Sequence, residues 1–198
     1  MRRTVYFAHT TLDGRISTAD GGFWEPFPWG EQEEMAYNNE FFRTADTWVL
    51  GRRMYEGIVP WWESVAAGNT PDDVPEMTAE DREFARLQHD MHKVVVSDTL
   101  QATPGDRTDL SRDPVGDLWA LKQAEGSAIL LSCGPALFAV FMAEPGLVDE
   151  LLIVMHPVAL HDGPQLYAGL QRTVPVKLLS ATPLTRGAAI LRYARGRS

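Results

Sequence analysis

The chain has 198 residues, 44% of them hydrophobic and 10% aromatic, which suits one ordinary domain with a real core or at most two small ones. A formal net charge of −9 at pH 7 argues against a sequence-independent nucleic-acid binder, which needs a cationic face, and the single cysteine, Cys133, excludes an intramolecular disulfide framework. No apolar run approaches the roughly 20 residues of a membrane span, and the chain opens on a strand pattern without a signal peptide, so the expectation is a cytoplasmic protein.

Thr4 to Ala8 reads as a buried first strand, followed by the turn Asp13-Gly14 and a short extended piece at Arg15 to Ser17. Residues 23–29 carry Phe23, Trp24, Phe27 and Trp29 together with Pro26 and Pro28, which rules out a regular helix or a central strand. That stretch is either a loop tucked onto the core or an aromatic wall beside a planar ligand. Glu31 to Ala45 has helical spacing, with Glu31, Glu33 and Glu34 in the first turn, where the helix dipole favours carboxylates. Trp48 to Leu50 is a strand ending at Gly51, Arg52 and Arg53, and Met54 to Val59 is helical. Gly68 to Pro75 is an exposed loop, and Thr78 caps a helix reaching about Asp90. His89 and His92 lack a third ligand at a telling spacing and predict no metal site.

Lys93 to Val96 is a strand ending at Ser97-Asp98-Thr99, and Gln101 to Pro114 is polar and turn-rich. A short helix spans Asp117 to Ala124. The strand Ser127 to Leu131 ends at Cys133-Gly134-Pro135 and leads into an apolar helix to Ala143, with Pro135 suited to the first helical position. Leu147 to Leu160 predicts one or two strands, and Val174 to Leu179 with Ala188 to Tyr193 a terminal hairpin. The sum predicts a single α/β domain over residues 1–198, with a mostly parallel sheet, helices on both faces and an antiparallel C-terminal hairpin.

The chain lacks G-x-S-x-G, a phosphate-loop lysine, H-E-x-x-H, paired cysteines and G-x-G-x-x-G. It does have three strand ends rich in small or cationic residues, at Gly51-Arg52-Arg53, Ser97-Asp98-Thr99 and Cys133-Gly134. Helix N-termini present unpaired N–H groups, arginines add bidentate donors, and strand ends gather at one edge of an α/β sheet. The set suits a ligand with several phosphates.

Thr11-Leu12-Asp13-Gly14-Arg15-Ile16, Gly51-Arg52-Arg53-Met54-Tyr55-Glu56, Val95 to Leu100, Gly146 to Leu151, and Pro157 to Leu160 with Asp162 to Tyr167 form an ordered set. Together they resemble the dihydrofolate reductase-like superfamily, specifically the riboflavin-biosynthesis reductase branch typified by the C-terminal domain of RibD. The resemblance implies a homodimeric NADPH-dependent reductase, with NADH as the alternative donor. Its substrate would be a small pteridine- or pyrimidine-like heterocycle or a ribosyl derivative, such as 5-amino-6-(5-phosphoribosylamino)uracil, with no nucleic acid or membrane partner. Gly51, Arg52 and Arg53 would hold cofactor phosphates, with Cys133, Gly134 and Pro135 against the pyrophosphate. Ser97 and Thr99 would lie near the adenosine ribose, and Thr11, Trp24 and Trp29 near the substrate. Asp13 and then Glu34 are the candidate proton-handling groups. The sequence departs from the family pattern at Cys133, which replaces a glycine, at His161, and at Asp98, which would repel a 2′-phosphate unless Arg53, Arg107 or Arg112 compensates. Cys133 and Asp98 support an alternative, a non-catalytic cofactor- or ligand-binding regulatory member of the same fold.

Overall fold

Runs of β-branched and aliphatic residues alternate with amphipathic stretches along the chain, and each becomes a strand or a helix of one layered unit. The computed structural model describes residues 1–22, 27, 32–70, 77–102 and 105–196. The elements in order are β1 (Thr4–Thr10), α1 (Gln32–Phe42), β2 (Ala45–Gly51), α2 (Arg52–Ala66), α3 (Ala79–Asp90), β3 (His92–Val96) and β4 (Thr108–Ser111). They continue with α4 (Pro114–Gln123), β5 (Ala128–Ser132), α5 (Pro135–Ala143), β6 (Glu150–Met155), β7 (Val176–Pro183) and β8 (Ala189–Arg195).

The strands form one sheet in the order β4-β3-β2-β5-β1-β6-β8-β7. Every pairing from β4 to β6 is parallel, and β8 runs antiparallel to both β6 and β7. The α/β class, the mostly parallel sheet and the antiparallel terminal hairpin thus follow the sequence expectation. Alternate residues of β1 show how the two faces are filled: Val5 and Phe7 join α1, α2 and α3, whereas Tyr6 and Ala8 join α4 and α5. All five residues of β5 are buried, as a strand covered by helices on both faces requires.

Two elements differ from expectation. Helix α2 continues past Val59 through Pro60 to Ala66, because Val59, Trp62 and Val65 keep a buried stripe against the core that outweighs the hydrogen bond Pro60 cannot donate. Strand β4 lies inside the turn-rich 101–114 stretch and exists through its pairing with β3 at the sheet edge. The helices also start differently. Thr78 and Asp81 form a reciprocal capping box on α3, and Asp113 accepts from the Gly116 N–H at the start of α4. Helices α2 and α5 start at Gly51 and Gly134 with no side-chain cap.

Candidate functional site

Strand β5 sends the chain into α5 on one face of the sheet, while its neighbours β1 and β2 send theirs to α1 and α2 on the other. Loops that diverge in this way open a crevice at the carboxyl ends of the strands, the usual ligand position in open α/β sheets. Here Gly51 and Cys133-Gly134 face each other. A Cβ built on Gly51 would lie 3.4 Å from the Cys133 Cβ and 4.0 Å from the Gly134 nitrogen. Gly134 has φ −72°, which any residue adopts, and a Cβ there would meet nothing within 4 Å. Neither backbone conformation nor packing requires glycine at 134; the omitted side chain leaves open space above an uncapped helix start.

The crevice floor is braced from below. Tyr6 donates to the Cys133 carbonyl at 2.6 Å, and Trp48 donates to Ser132 Oγ at 3.0 Å, which in turn donates to the Phe7 carbonyl at 3.1 Å. Cys133 is buried among the α4–α5 side chains, and burial pushes its thiol well above its ordinary pKa. Its side chain therefore belongs to the core rather than to the crevice. Arg52 and Arg53 stand at the first turn of α2. Arg52 reaches Glu56 at 3.1 Å in a pair open to solvent, and Arg53 is exposed.

At the end of β3, Ser97 is buried, and its hydroxyl accepts from the Thr99 and Leu100 N–H groups at 3.2 and 3.1 Å. That hydroxyl is engaged in shaping the turn, leaving Thr99 and Asp98 as its exposed side chains. Arg112 donates to the Ser97 and Leu100 carbonyls and braces the same turn. Arg107 is at the opposite end of the sheet: its carbonyl accepts from the Lys93 N–H at 2.8 Å, and its side chain reaches Asp90. It does not compensate for Asp98.

Asp13 sits among three hydrogen-bond donors. Its carboxylate accepts from Thr11 Oγ1 at 2.6 Å, Arg15 Nε at 2.7 Å and the Leu160 N–H at 3.1 Å. The Thr11 hydroxyl first, with the Leu160 amide and Arg15, holds the Asp13 pKa at about 2. A carboxylate so held has no proton to give at neutral pH. It knots the loop after β1 to the loop after β6, helped by Arg15, which also donates to the Leu160 and Gly163 carbonyls. Gly14 at φ +77° and Gly163 at φ +105° serve this knot; a Cβ at Gly163 would lie 2.2 Å from the Ser17 carbonyl oxygen. Thr11 is buried and uses its hydroxyl in the same turn. Trp24 and Trp29 lie outside the described residues, as does Glu31.

Glu34 does more than complement a helix dipole. It is buried, and its Oε1 lies 3.6 Å from His9 Nδ1, which is 2.9 Å from His156 Nε2. The His9 and His156 rings stack at 5.2 Å and 22°, and Phe27 packs 4.8 Å from His156. Burial first, then the neighbouring His156, lowers the His9 pKa well below its ordinary value, and burial pulls His156 to about 4. Sequence reasoning missed both histidines: they stand singly at positions 9 and 156, and only the parallel pairing of β1 with β6 brings them together. The pair that spacing did single out is separated and exposed, His89 against Glu63 and His92 against Asp109. The acids of the Leu147–Leu151 segment are structural: Asp149 accepts from the Thr4 N–H at 2.8 Å and pairs with buried Lys122, and Glu150 pairs with Arg3 and Arg192.

An eight-stranded, mostly parallel sheet with this crevice beside β5 defines a dihydrofolate reductase-like α/β protein. The chain belongs to the RibD C-terminal domain family, which matches residues 3–190. It is 24% identical over 192 residues to the uncharacterized protein YyaP of Bacillus subtilis (strain 168), covering 97% of this chain and 94% of that one. Among solved structures, a putative riboflavin biosynthesis protein from Shewanella sp. PV-4 superposes with a TM-score of 0.68 at 19% identity, covering 98% and 99% of the two chains. Dihydrofolate reductase from Enterococcus faecalis, complexed with NADP(H) and RAB-propyl, gives 0.61 at 16% identity, covering 98% and 96%. Among the described residues no helix is long and apolar enough to cross a membrane.

Proposed function

We propose that this chain is a cytoplasmic reductase that uses NADPH, with NADH as the alternative donor, to reduce a flat pteridine- or pyrimidine-like ring or its ribosyl derivative. The observation that carries the reading is Gly134, where a missing side chain that neither folding nor packing demands opens an uncapped helix start beside Gly51. The residues present fit a dinucleotide. The N–H groups at the starts of α2 and α5 bind the pyrophosphate, Arg52 and Arg53 supply charge-assisted donors, Cys133 and Pro135 set the close backbone approach, and Thr99, above the Ser97 turn, borders the ribose. The bound nicotinamide supplies the hydride.

On the substrate side Thr11 and Asp13 hold the loop after β1 in place, and Glu34 is the buried carboxyl that orients the ring or holds its proton. The resemblance to family members also supports a homodimer, for which the terminal hairpin offers an exposed apolar strip at Val176, Leu178 and Leu179. Sedimentation velocity tests it.

The decisive experiment is a titration of the purified chain with NADPH and NADH, read by tryptophan quenching. Saturable binding is expected, followed by loss of reduced-nicotinamide absorbance when 5-amino-6-(5-phosphoribosylamino)uracil or a dihydropteridine is added. Absence of binding by both nucleotides removes the reductase reading; tight binding without turnover leaves the non-catalytic alternative.

A further inference from the structure

We propose that His9, Glu34 and His156 bind one divalent transition-metal ion of the class that takes nitrogen and oxygen ligands, such as Zn²⁺. The three side chains offer one donor atom each, and these atoms all lie within 4.8 Å of one another. An ion about 2.1 Å from each ligand sets neighbouring donors about 3.0 Å apart in an octahedron and about 3.4 Å apart in a tetrahedron. The two measured edges, 2.9 Å from His9 Nδ1 to His156 Nε2 and 3.6 Å from His9 Nδ1 to Glu34 Oε1, bracket that range.

The ligands come from three rigid places. His9 is in β1, Glu34 in α1, and His156 directly follows β6, where its N–H donates to the Thr10 carbonyl at 2.8 Å. His156 is fully buried and Glu34 nearly so, so the donors are not wobbling surface groups. Glu34 contributes the anion that a dication favours, and the Phe27 ring closes an apolar side of the cluster. Two histidines and one carboxylate are a recurrent set for Zn²⁺ and for non-haem Fe²⁺, and they leave positions open for water or a substrate oxygen. The same 2.9 Å contact also fits a plain imidazole–imidazole hydrogen bond, and metal retention separates the two.

Among the described residues the remaining histidines form two-ligand pairs with acids, His89 with Glu63, His92 with Asp109 and His161 with Asp162, all on exposed side chains. They provide the control. The full chain, stripped with EDTA, is loaded with Zn²⁺ or Co²⁺, passed through gel filtration and assayed for metal. One ion per chain is expected, with visible d–d absorption for Co²⁺. His9→Ala and Glu34→Gln should each weaken Zn²⁺ binding at least about tenfold, since loss of even an outer-shell partner costs that much. The double variant His89→Ala/His92→Ala should retain the ion. No retained metal in the wild type, or retention unchanged in His9→Ala, overturns the site.

Circular dichroism checks that the variants fold. Should a variant unfold, the wild-type Co²⁺ protein decides alone: two hyperfine-shifted imidazole N–H signals are expected, and their absence overturns the proposal. The inference does not rest on the reductase reading. Metal retention tests one and nucleotide titration the other, so either can fail without the other.

Discussion

The carboxyl edge of the sheet has two halves that are built by different means. Between β2 and β5 stand two helix starts without side-chain caps, each at a glycine, Gly51 and Gly134. Between β1 and β6 the groups are side chains, His9, Glu34 and His156, buried against one another. The first half has the character of a cradle for an extended anion, because N–H groups and arginines bind phosphate without needing a closed cavity. The second half concentrates titratable groups out of water, where their protonation and ligand chemistry are set by neighbours. Among the described residues α3 and α4 start with side-chain caps, whereas α2 and α5 do not.

The sharpest way to break the contrast is to close the cradle. Gly134→Asp supplies α5 with a capping carboxylate in space that holds no atom within 4 Å, so thermal stability should hold or rise slightly. The same carboxylate faces the proposed pyrophosphate, and NADPH affinity should fall roughly 100-fold or more, the order expected for like charges a few ångströms apart near a surface. Unchanged affinity in a fluorescence titration would remove the cofactor from this helix start.

The second half is probed by pH in the metal-free protein. His156 falls from 6.5 to about 4 in the folded state, and His9, facing it and Glu34, also moves down. The unfolded chain therefore binds more protons between these values. The stabilisation is fully present above about pH 6.5 and is lost as pH drops toward 4, by up to roughly 3 kcal/mol for His156. Asp13 adds to the loss only below its ordinary value of 3.8, toward about 2. Urea unfolding from pH 7 to pH 4.5 measures the effect, and a flat profile would mean that the imidazoles are not held neutral.

A smaller effect tests charge in the cradle. Arg52→Ala should weaken NADPH binding about tenfold through the loss of charge-assisted donors. It should cost no more than about 0.5 kcal/mol of stability, because the Arg52–Glu56 pair is solvent-exposed. Equal NADPH affinities for the variant and the parent would shift the role to Arg53 or to the backbone alone. The smallest effect is the control on the other helices: Thr78→Ala should lower stability by about 1 kcal/mol and leave nucleotide affinity untouched. A change in affinity would show that the two classes of helix start are coupled.

The cradle half was legible in the amino-acid order because its parts are local. A strand, a glycine and a helix start follow one another within a few residues at Gly51 and at Gly134, and each local signal was enough to place its element. The turn at Asp13-Gly14 was equally legible as a turn, but its chemistry was not. Only the tertiary structure shows the Leu160 amide joining Thr11 and Arg15 around the carboxylate and lowering its pKa to about 2. Strand β4 was hidden because an edge strand of four residues gains its identity from β3 rather than from its own pattern.

What the sequence determined by itself was therefore the class of fold and the places where strands end and helices begin, since periodicity and turn chemistry act over a few residues. What the tertiary structure decided was the company each side chain keeps. The register that sets His9 beside Val154, two residues before His156, and the packing of α1 over that pair are long-range facts with no local signature. Backbone sites are encoded where they occur, whereas sites made of converging side chains exist only once distant strands have paired.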